Sequence, residues 1–292
     1  MLRAVDKFPD HFRYPSNTES DATKRGPRVR NVVIMGMGGS ASAGDVVLDW
    51  VRDEMMIPAL VHRDPHIPRW VDSKTQFVAI SYSGNTLETL AGFREARKRK
   101  ARLIGIGNGG ELEELCHRYD AEYFKVEEAL APRAALGQMI VATGSALASV
   151  RLIQSMSTEL HTVGKRLRRL RNSLRKESPK ERNPAKQFAT QLHGSFPSLY
   201  SLQRMASVAR RFKNQLAENS KTLSKYDLIP ESCHNEVEAW RKPRKTDLPV
   251  IVRDMIESAF EKSAIQAFSK TISLRSSLKP LQVRMRGADR LS

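Results

Sequence analysis

Three hydroxyl side chains follow an apolar run in the stretch AISYSGNTLETL, residues 79–90. The run 77–80 has the composition of a buried strand, and a helix-like segment begins after Ser81, Ser83 and Thr86. Ligands of open α/β sheets bind at the carboxyl ends of strands, and a helix start adds N–H donors and partial positive charge. Hydroxyls add donors without a competing charge. The spacing therefore predicts a neutral cradle for a phosphate monoester.

The same stretch also allows a purely structural interpretation. Asn85 can cap the following helix, and Glu88 three residues later would complete a capping box. Capping needs only one such side chain, whereas the stretch offers several, so we favour the phosphate site. Residues 108–111 (NGGE) repeat the capping pattern without the hydroxyls, and there we favour capping.

A glycine-rich stretch, NVVIMGMGGSASAGD (residues 31–45), follows an earlier strand candidate. Glycines at that place let the backbone turn tightly and approach a ligand. Gly36, Gly38 and Ala41 also fit the dinucleotide fingerprint G-x-G-x-x-G/A. That fingerprint expects an acidic residue about 20 positions further on, for which Asp64 is the candidate. The stretch indicates a nearby phosphate group, of either a sugar phosphate or a dinucleotide.

Short apolar runs alternate with amphipathic segments from residue 31 to residue 126. Such alternation predicts a parallel sheet covered by helices on both faces. A second unit of the same kind follows, with one helical apolar face made by Met205, Val208, Ala209, Phe212 and Leu216. Strands are expected at 32–35, 59–61, 77–80, 103–106, 123–126, 199–200 and 249–252, and helices at 43–51, 86–98, from 111, at 138–153 and at 255–272.

The domain organisation follows from these elements. We expect an N-terminal α/β domain over residues 1–160 and a C-terminal α/β domain over 191–292. The basic segment between them, 161–190, contains Pro179 and Pro184 and is predicted to form a surface helix followed by a linker.

Composition narrows the class of protein. Of the 292 residues, 40% are hydrophobic and 28% charged, which is typical of a globular protein. We find neither a signal-like segment nor an apolar stretch of the roughly 20 residues that a transmembrane helix needs. The two cysteines, Cys116 and Cys233, form no CxxC pair and have no metal-ligand spacing. A reducing cytoplasm is the expected location.

The formal net charge of +17 suggests an anionic partner. The positive residues cluster at 94–102 and at 165–186, and neither cluster is interleaved with aromatic residues as a single-strand nucleic-acid surface would be. We interpret both clusters as solvated helix faces and expect neither nucleic acid nor a membrane as partner.

Both polar stretches resemble a known domain. GMGGSASAGD followed by SYSGNT is similar to the SIS (sugar isomerase) domain, a phosphosugar-binding α/β fold. More narrowly, the chain resembles the bifunctional phosphoglucose/phosphomannose isomerases of archaea and some bacteria. The match recurs at 131–133 (APR) and 183–186 (NPAK), and most densely at 217–236 (AENSKTLSKYDLIPESCHNE). The resemblance implies two SIS-type subdomains, each a mostly parallel sheet flanked by helices.

The resemblance also implies a function and a site. The family isomerises aldose and ketose 6-phosphates through a cis-enediolate, as a homodimer without metal or cofactor. By resemblance, Glu218 is the base that moves a proton between C2 and C1, and Arg133 faces the enediolate. His234 opens the sugar ring and is donated by the neighbouring subunit. The substrate-binding residues implied are Gly38, Gly39 and Ser40 near the sugar, and Ser81, Ser83 and Thr86 at the phosphate.

These residue types suit the chemistry, although each has a simpler explanation. A carboxylate can serve as the base, a guanidinium can stabilise oxyanion charge, and histidine exchanges protons near neutral pH. Taken alone, Glu218 can be a solvated helix end and His234 a loop histidine. Arg133 can simply pair with Glu127 or Glu128. The combination of all three with the hydroxyl stretch favours an isomerase.

The C-terminal residues depart from the family pattern. The family ends in a helix whose lysine assists ring opening, whereas residues 273–292 do not align with that helix and Lys279 stands before Pro280. This departure and the net charge leave a non-catalytic phosphosugar sensor as the alternative function. A dinucleotide-dependent oxidoreductase is the third hypothesis, but a pyrophosphate site has no need of the second, hydroxyl-rich stretch.

Overall fold

The computed structural model describes residues 2–12, 29–129 and 131–285. The chain divides into two compact units, Met1–Arg171 and Asn172–Ser292. Each unit is built on one sheet in which every strand pair is parallel.

The first unit contains a five-stranded sheet with the order β2-β1-β3-β4-β5. Its central strands are buried apolar runs rather than alternating ones, because helices cover both faces of the sheet. The strands are β1 (Asn31–Gly36), β2 (Ala59–His62), β3 (Thr75–Ile80), β4 (Arg102–Gly107) and β5 (Glu122–Lys125). The helices are α1 (Leu2–Lys7), α2 (Gly38–Trp50), α3 (Leu87–Lys98), α4 (Gly110–Arg118), α5 (Leu136–Ser149) and α6 (Ser157–Ser173).

The strand order fixes where a ligand can bind in this unit. The chain adds β2 on one side of β1 and then crosses to add β3 on the other side. Such a reversal opens a crevice outside the carboxyl ends of the two strands, which is the usual ligand site of open α/β sheets. The register pairs Gly36 at the end of β1 with Ile80 at the end of β3, so the two following loops begin side by side.

The second unit repeats this topology with four strands in the order β7-β6-β8-β9. The corresponding reversal lies between β6 and β8. The strands are β6 (Phe196–Leu202), β7 (Lys225–Ile229), β8 (Asp247–Arg253) and β9 (Leu281–Arg284). The helices are α7 (Pro184–Leu192), α8 (Ala206–Gln215), α9 (Glu236–Ala239) and α10 (Ala259–Ser276).

Several predicted boundaries were wrong, each for a local reason. Helix α2 begins at Gly38 rather than at 43, because that glycine adopts a φ of +51° just after the strand. Helix α10 begins at Ala259 rather than at 255, because Ser258 caps it in a capping box with Glu261. The predicted helix 138–153 ends at Ser149.

The predicted linker and the C-terminal residues contain regular structure that the sequence patterns missed. Asn183 accepts a hydrogen bond from the Lys186 N–H, and Pro184 follows at the first helical position, so residues 184–192 form α7 within the expected linker. Strands β7 and β9 are only partly buried and mix polar with apolar residues, which weakens their signal. Residues 286–292 lie outside the described residues.

Within the described part of the chain, none of the helices has both the length and the apolarity needed to cross a membrane.

Candidate functional site

The three hydroxyls of residues 81–86, here called the hydroxyl loop, lie together at the carboxyl end of β3. Ser81 is fully buried, Thr86 is partly buried and Ser83 is exposed. The Ser81 Oγ and Thr86 Oγ1 atoms are 2.9 Å apart, and the Thr86 N–H donates to Ser81 Oγ at 3.4 Å. The Asn85 N–H donates to Ser83 Oγ at 3.2 Å. The loop thus places three hydroxyls that differ in their exposure to solvent at the start of α3.

Gly84 gives the hydroxyl loop its shape. Its φ is +70°, and its N–H donates to the Ser81 carbonyl at 3.0 Å. A Cβ at this position would lie 1.7 Å from the Gly109 carbonyl oxygen. Both the backbone conformation and the available space therefore require glycine.

Residues 37–40, here called the glycine loop, follow β1 beside the hydroxyl loop. Gly38 is exposed, whereas Ser40 is buried within the first turn of α2. The Tyr82 N–H donates to Ser40 Oγ at 3.3 Å, which joins the two loops. A Cβ at Gly36 would lie 2.9 Å from the Ile80 carbonyl oxygen, so the ends of β1 and β3 approach each other as closely as a glycine allows. The first unit thus brings the predicted substrate-binding residues of both loops together.

Asn85 does not cap its own helix, so the capping explanation of the hydroxyl loop was wrong. The N-cap residue of α3 is Thr86, whose hydroxyl bonds Ser81. The Asn85 Oδ1 atom instead accepts from the Glu111 N–H at 3.0 Å, in the first turn of α4. Asn108 is not the cap of α4 either, because its side chain donates to the Val126 carbonyl at 2.7 Å.

Arg133 lies on the short 3₁₀ turn Pro132–Ala134, immediately before α5 in the first unit. The segment leading to this turn is attached to the hydroxyl loop by Tyr82. The Tyr82 hydroxyl donates to the Ala129 carbonyl at 3.1 Å and accepts from the Ala129 N–H at 2.6 Å. Sequence reasoning missed this role of Tyr82. Its only signal was a large phenol within a stretch of small polar residues.

Glu218 lies in the second unit, on the π-helical turn Leu216–Ser220 that extends α8. Its side chain is partly buried. Lys221 ends the turn in the left-handed conformation, with a φ of +56°, and its ammonium donates to the Glu218 carbonyl at 2.7 Å. Single π-turns of this kind are frequent at functional sites.

His234 also lies in the second unit, exposed on a turn whose backbone is firmly held. Its N–H donates to the Glu231 carbonyl at 2.9 Å, and the Ser232 hydroxyl donates to the Leu228 carbonyl at 2.7 Å. Asn235 caps α9 through the Glu236 N–H. The turn therefore presents the imidazole from a defined position.

Ion pairs of the chain itself surround the loop that follows β8 in the second unit. The loop after β8, 254–258 (DMIES), corresponds in the topology to the hydroxyl loop and carries two carboxylates. Arg204, just after β6, donates to Asp254 and to Glu261 at 2.7 Å each. Arg253 and Glu257 form a buried ion pair with a 2.6 Å hydrogen bond. Carboxylates of the chain thus occupy the place where the first unit has hydroxyls.

The dinucleotide hypothesis finds no support in the first unit. Its strand order 2-1-3-4-5 is that of flavodoxin-like folds, not the 3-2-1-4-5-6 order of dinucleotide-binding domains. Asp64, the candidate ribose ligand, instead accepts from the His66 N–H at 2.8 Å.

The first basic cluster, residues 94–102, lies mainly on the surface of α3. Arg94 pairs with Glu111, and Arg99 donates to Glu95 at 3.0 Å. The Arg97 guanidinium lies 5.3 Å from the centre of the Tyr119 ring. These contacts are those of a solvated helix face.

Comparison with known proteins gives several relatives of one kind. The bifunctional phosphoglucose/phosphomannose isomerase of Caldicellulosiruptor bescii is 32% identical over 247 residues, covering 84% of this chain and 73% of the relative. The bifunctional phosphoglucose/phosphomannose isomerase of Aquifex aeolicus is 30% identical over 244 residues, covering 83% of this chain and 71% of the relative. The chain belongs to the bifunctional phosphoglucose/phosphomannose isomerase family.

A family model for the bacterial phospho-glucose isomerase C-terminal SIS domain matches residues 181–292. A more distant relative, the D-glucosamine-6-phosphate 4-epimerase of Sulfolobus acidocaldarius, is 26% identical over 233 residues, covering 78% of this chain and 70% of the relative.

Solved structures agree on the fold. The C-terminal domain of glucosamine-fructose-6-phosphate aminotransferase from Francisella tularensis matches with a TM-score of 0.72 and 16% identity, covering 100% of this chain and 90% of that one. Glucosamine-6-phosphate deaminase from Thermotoga maritima matches with a TM-score of 0.63 and 15% identity, covering 99% and 84%. The predicted α/β fold, with two SIS-type units on parallel sheets, is confirmed.

Proposed function

We propose that the protein is an isomerase of hexose 6-phosphates, converting fructose 6-phosphate to glucose 6-phosphate and to its epimer mannose 6-phosphate. The observation that carries the proposal is the hydroxyl loop: three hydroxyls lie at a helix start, at the crevice of a sheet whose topology favours ligands there. Membership of the isomerase family supports the same conclusion.

The phosphate group is the part of the substrate that the first unit is suited to bind. Ser81, Ser83 and Thr86 supply neutral donors, and the first turn of α3 adds N–H groups and partial positive charge. We assign Gly38, Gly39 and Ser40 of the glycine loop to the sugar. Their backbone can approach a ligand closely, because Gly38 has no side chain and lies exposed.

The reaction needs a base that moves one proton. In the proposed mechanism the Glu218 carboxylate removes a proton from C1 of open-chain fructose 6-phosphate and returns it to C2, while the proton of the C1 hydroxyl passes to the C2 oxygen. Negative charge develops on the two oxygens of the cis-enediolate between these steps, and we assign its stabilisation to the Arg133 guanidinium. Proton transfer and charge stabilisation account for every step, so the proposed mechanism involves neither a metal nor a cofactor.

His234 is assigned to ring opening, in which a proton moves between the ring oxygen and the anomeric hydroxyl. An exposed imidazole on a well-held turn is suited to reach a ligand bound to another subunit. We therefore propose a homodimer in which His234 serves the neighbouring subunit. The cytoplasm is the proposed location, which the two free cysteines support.

Proton NMR of fructose 6-phosphate with the protein in D₂O tests the proposal. Deuterium at C2 of newly formed aldose 6-phosphate is the expected result, and the ratio of glucose to mannose products measures epimer preference. Binding without any turnover would instead favour the phosphosugar sensor. A change confined to C4 would indicate an epimerase.

The role of Glu218 has its own test. Glu218→Gln removes the base but keeps the side-chain shape, so we expect turnover to fall by at least about 10²-fold while fructose 6-phosphate still binds. The exposed carboxylate Glu177 offers a matched control, and Glu177→Gln should keep full turnover. Near-normal turnover in the Glu218 variant would refute the assignment.

A further inference from the structure

Asn85 lies between two hydroxyls of the hydroxyl loop, yet its side chain bonds outside that loop. Its Oδ1 atom accepts from the Glu111 N–H at 3.0 Å. The N-cap position of α4 is Gly109, which has no side chain to cap the helix. The amide oxygen of Asn85 therefore supplies the capping bond that the N-cap residue of α4 cannot make.

The hydroxyl loop also contacts residues 108–112, the β4–α4 loop and the start of α4, through the backbone of the residues that precede Asn85. The Asn108 N–H donates to the Tyr82 carbonyl at 2.8 Å, and the Leu112 N–H donates to the Gly84 carbonyl at 3.0 Å. A Cβ at Gly110 would lie 2.5 Å from the Ser83 carbonyl oxygen. The two segments are in contact through their backbones, so a shift of residues 108–112 would move the hydroxyl loop.

The direction of the Asn85 side chain also matters for α3. An N-cap side chain normally accepts from the first-turn N–H groups of its own helix, and those are the donors that a phosphate at the helix start would use. Asn85 points its oxygen at α4, and Thr86 bonds Ser81. Neither side chain competes with a phosphate for the first turn of α3.

We propose that Asn85 is a positioning residue of the phosphate site, which fixes the hydroxyl loop by capping α4 and does not itself bind the phosphate. This inference rests on the proposed function, because it takes the hydroxyl loop as the phosphate-binding element. Asn85 is thereby distinguished from the ligands Ser81, Ser83 and Thr86 on either side of it.

Two substitutions separate positioning from direct binding. Asn85→Ala removes the oxygen that caps α4, and should weaken fructose 6-phosphate binding about fivefold, the factor that corresponds to an N-cap of about 1 kcal/mol. Asn85→Asp keeps the oxygen but loses the amide donor, and should bind within about twofold of the original protein at 0.5 M NaCl, where the added charge is screened. Calorimetric titration with fructose 6-phosphate measures both.

A second readout follows the capping bond itself. Hydrogen exchange of the Glu111 amide should accelerate in Asn85→Ala and stay slow in Asn85→Asp. Ser81→Ala should weaken binding while leaving that amide protected, because the described hydrogen bonds of the Ser81 side chain go to Thr86, and the Glu111 N–H bonds Asn85. Steady-state kinetics should show the Asn85→Ala effect in KM rather than in kcat.

Two outcomes would overturn the inference. If Asn85→Ala weakens binding while the Glu111 amide exchanges as slowly as in the original protein, the Asn85 side chain itself is a phosphate ligand. If Asn85→Ala binds like the original protein, Asn85 has no part in the site. Failure of the proposed function is distinct from both, since the original protein would then not bind fructose 6-phosphate and Ser81→Ala would change nothing.

Discussion

At the scale of single residues, the motif SYSGNT divides its work between two sets of side chains. Ser81, Ser83 and Thr86 are the proposed phosphate ligands, whereas Tyr82 and Asn85 bond neighbouring segments. The hydroxyls could be recognised from sequence as candidate phosphate ligands, because three of them closely follow a predicted strand. The partners of Tyr82 and Asn85 could not, because they lie 47 and 26 residues away and depend on how the sheet brings loops together.

Tyr82→Phe tests the first of these long-range bonds. The substitution removes both hydrogen bonds to Ala129, which is partly exposed, so each lost bond costs about 1 kcal/mol. The segment leading to Arg133 should loosen, so we expect kcat for fructose 6-phosphate to fall about tenfold while KM changes little.

Tyr119→Phe is the matched control for that experiment. Tyr119 stacks on Phe93 with 6.2 Å between the ring centres, and Ala129 bonds Tyr82 instead, so loss of the Tyr119 hydroxyl should leave the kinetics unchanged. An unaltered kcat in the Tyr82 variant would show that the hydroxyl does not position Arg133.

At the scale of elements, the strands that contain a buried apolar run could be predicted from the sequence, whereas β7 and β9 could not. β1 and β3 each contain a buried apolar run because both faces of the sheet are covered, and they were predicted within one or two residues. β7 and β9 are exposed on part of their surface and carry Lys225, Asp227, Gln282 and Arg284, so no apolar run marks them. Only their pairing with β6 and β8 identifies them as strands.

The end of β8 offers a stability prediction. Arg253 and Glu257 are 7% and 4% exposed, and Arg253 also donates to Gln282 at 3.1 Å. Breaking a buried ion pair by removing one partner costs roughly 3–5 kcal/mol. Since glutamine keeps one acceptor for the guanidinium, Glu257→Gln should lower the free energy of unfolding by about 3 kcal/mol, measured by urea denaturation.

Glu238→Gln is the control for that measurement, since the Glu238 side chain is 55% exposed where it pairs with Arg241 and Arg275 in the same unit. Its effect should stay below about 1 kcal/mol. Equal effects of the two substitutions would mean that burial of the Arg253–Glu257 pair does not contribute to stability.

At the scale of the whole molecule, the two units share one topology but place different side chains where the strand order reverses. Both sheets reverse their strand order at the same place, but the loop after β3 carries three hydroxyls, whereas the loop after β8 carries Asp254 and Glu257, both paired with arginines. The two α/β units could be predicted from alternating strands and helices. The difference between their crevices could not, because Arg204, Asp254 and Glu261 are brought together from distant parts of the chain.

One hexose phosphate per chain is the resulting expectation. Calorimetric titration with fructose 6-phosphate should give a stoichiometry of one, and Ser81→Ala should weaken that single binding event. A second event that survives the Ser81 substitution would show that the crevice of the second unit also accepts sugar phosphate.

The ion pairs of the second crevice also determine how free phosphate would compete for Arg204 and Arg253. Asp254, Glu257 and Glu261 are tethered to the chain, so their effective concentration at Arg204 and Arg253 is fixed by geometry. A free phosphate must instead compete at whatever concentration the cell supplies. We therefore expect the chain's own carboxylates to stay bound in the second crevice, and the proposed occupancy of the first to follow the concentration of hexose phosphate.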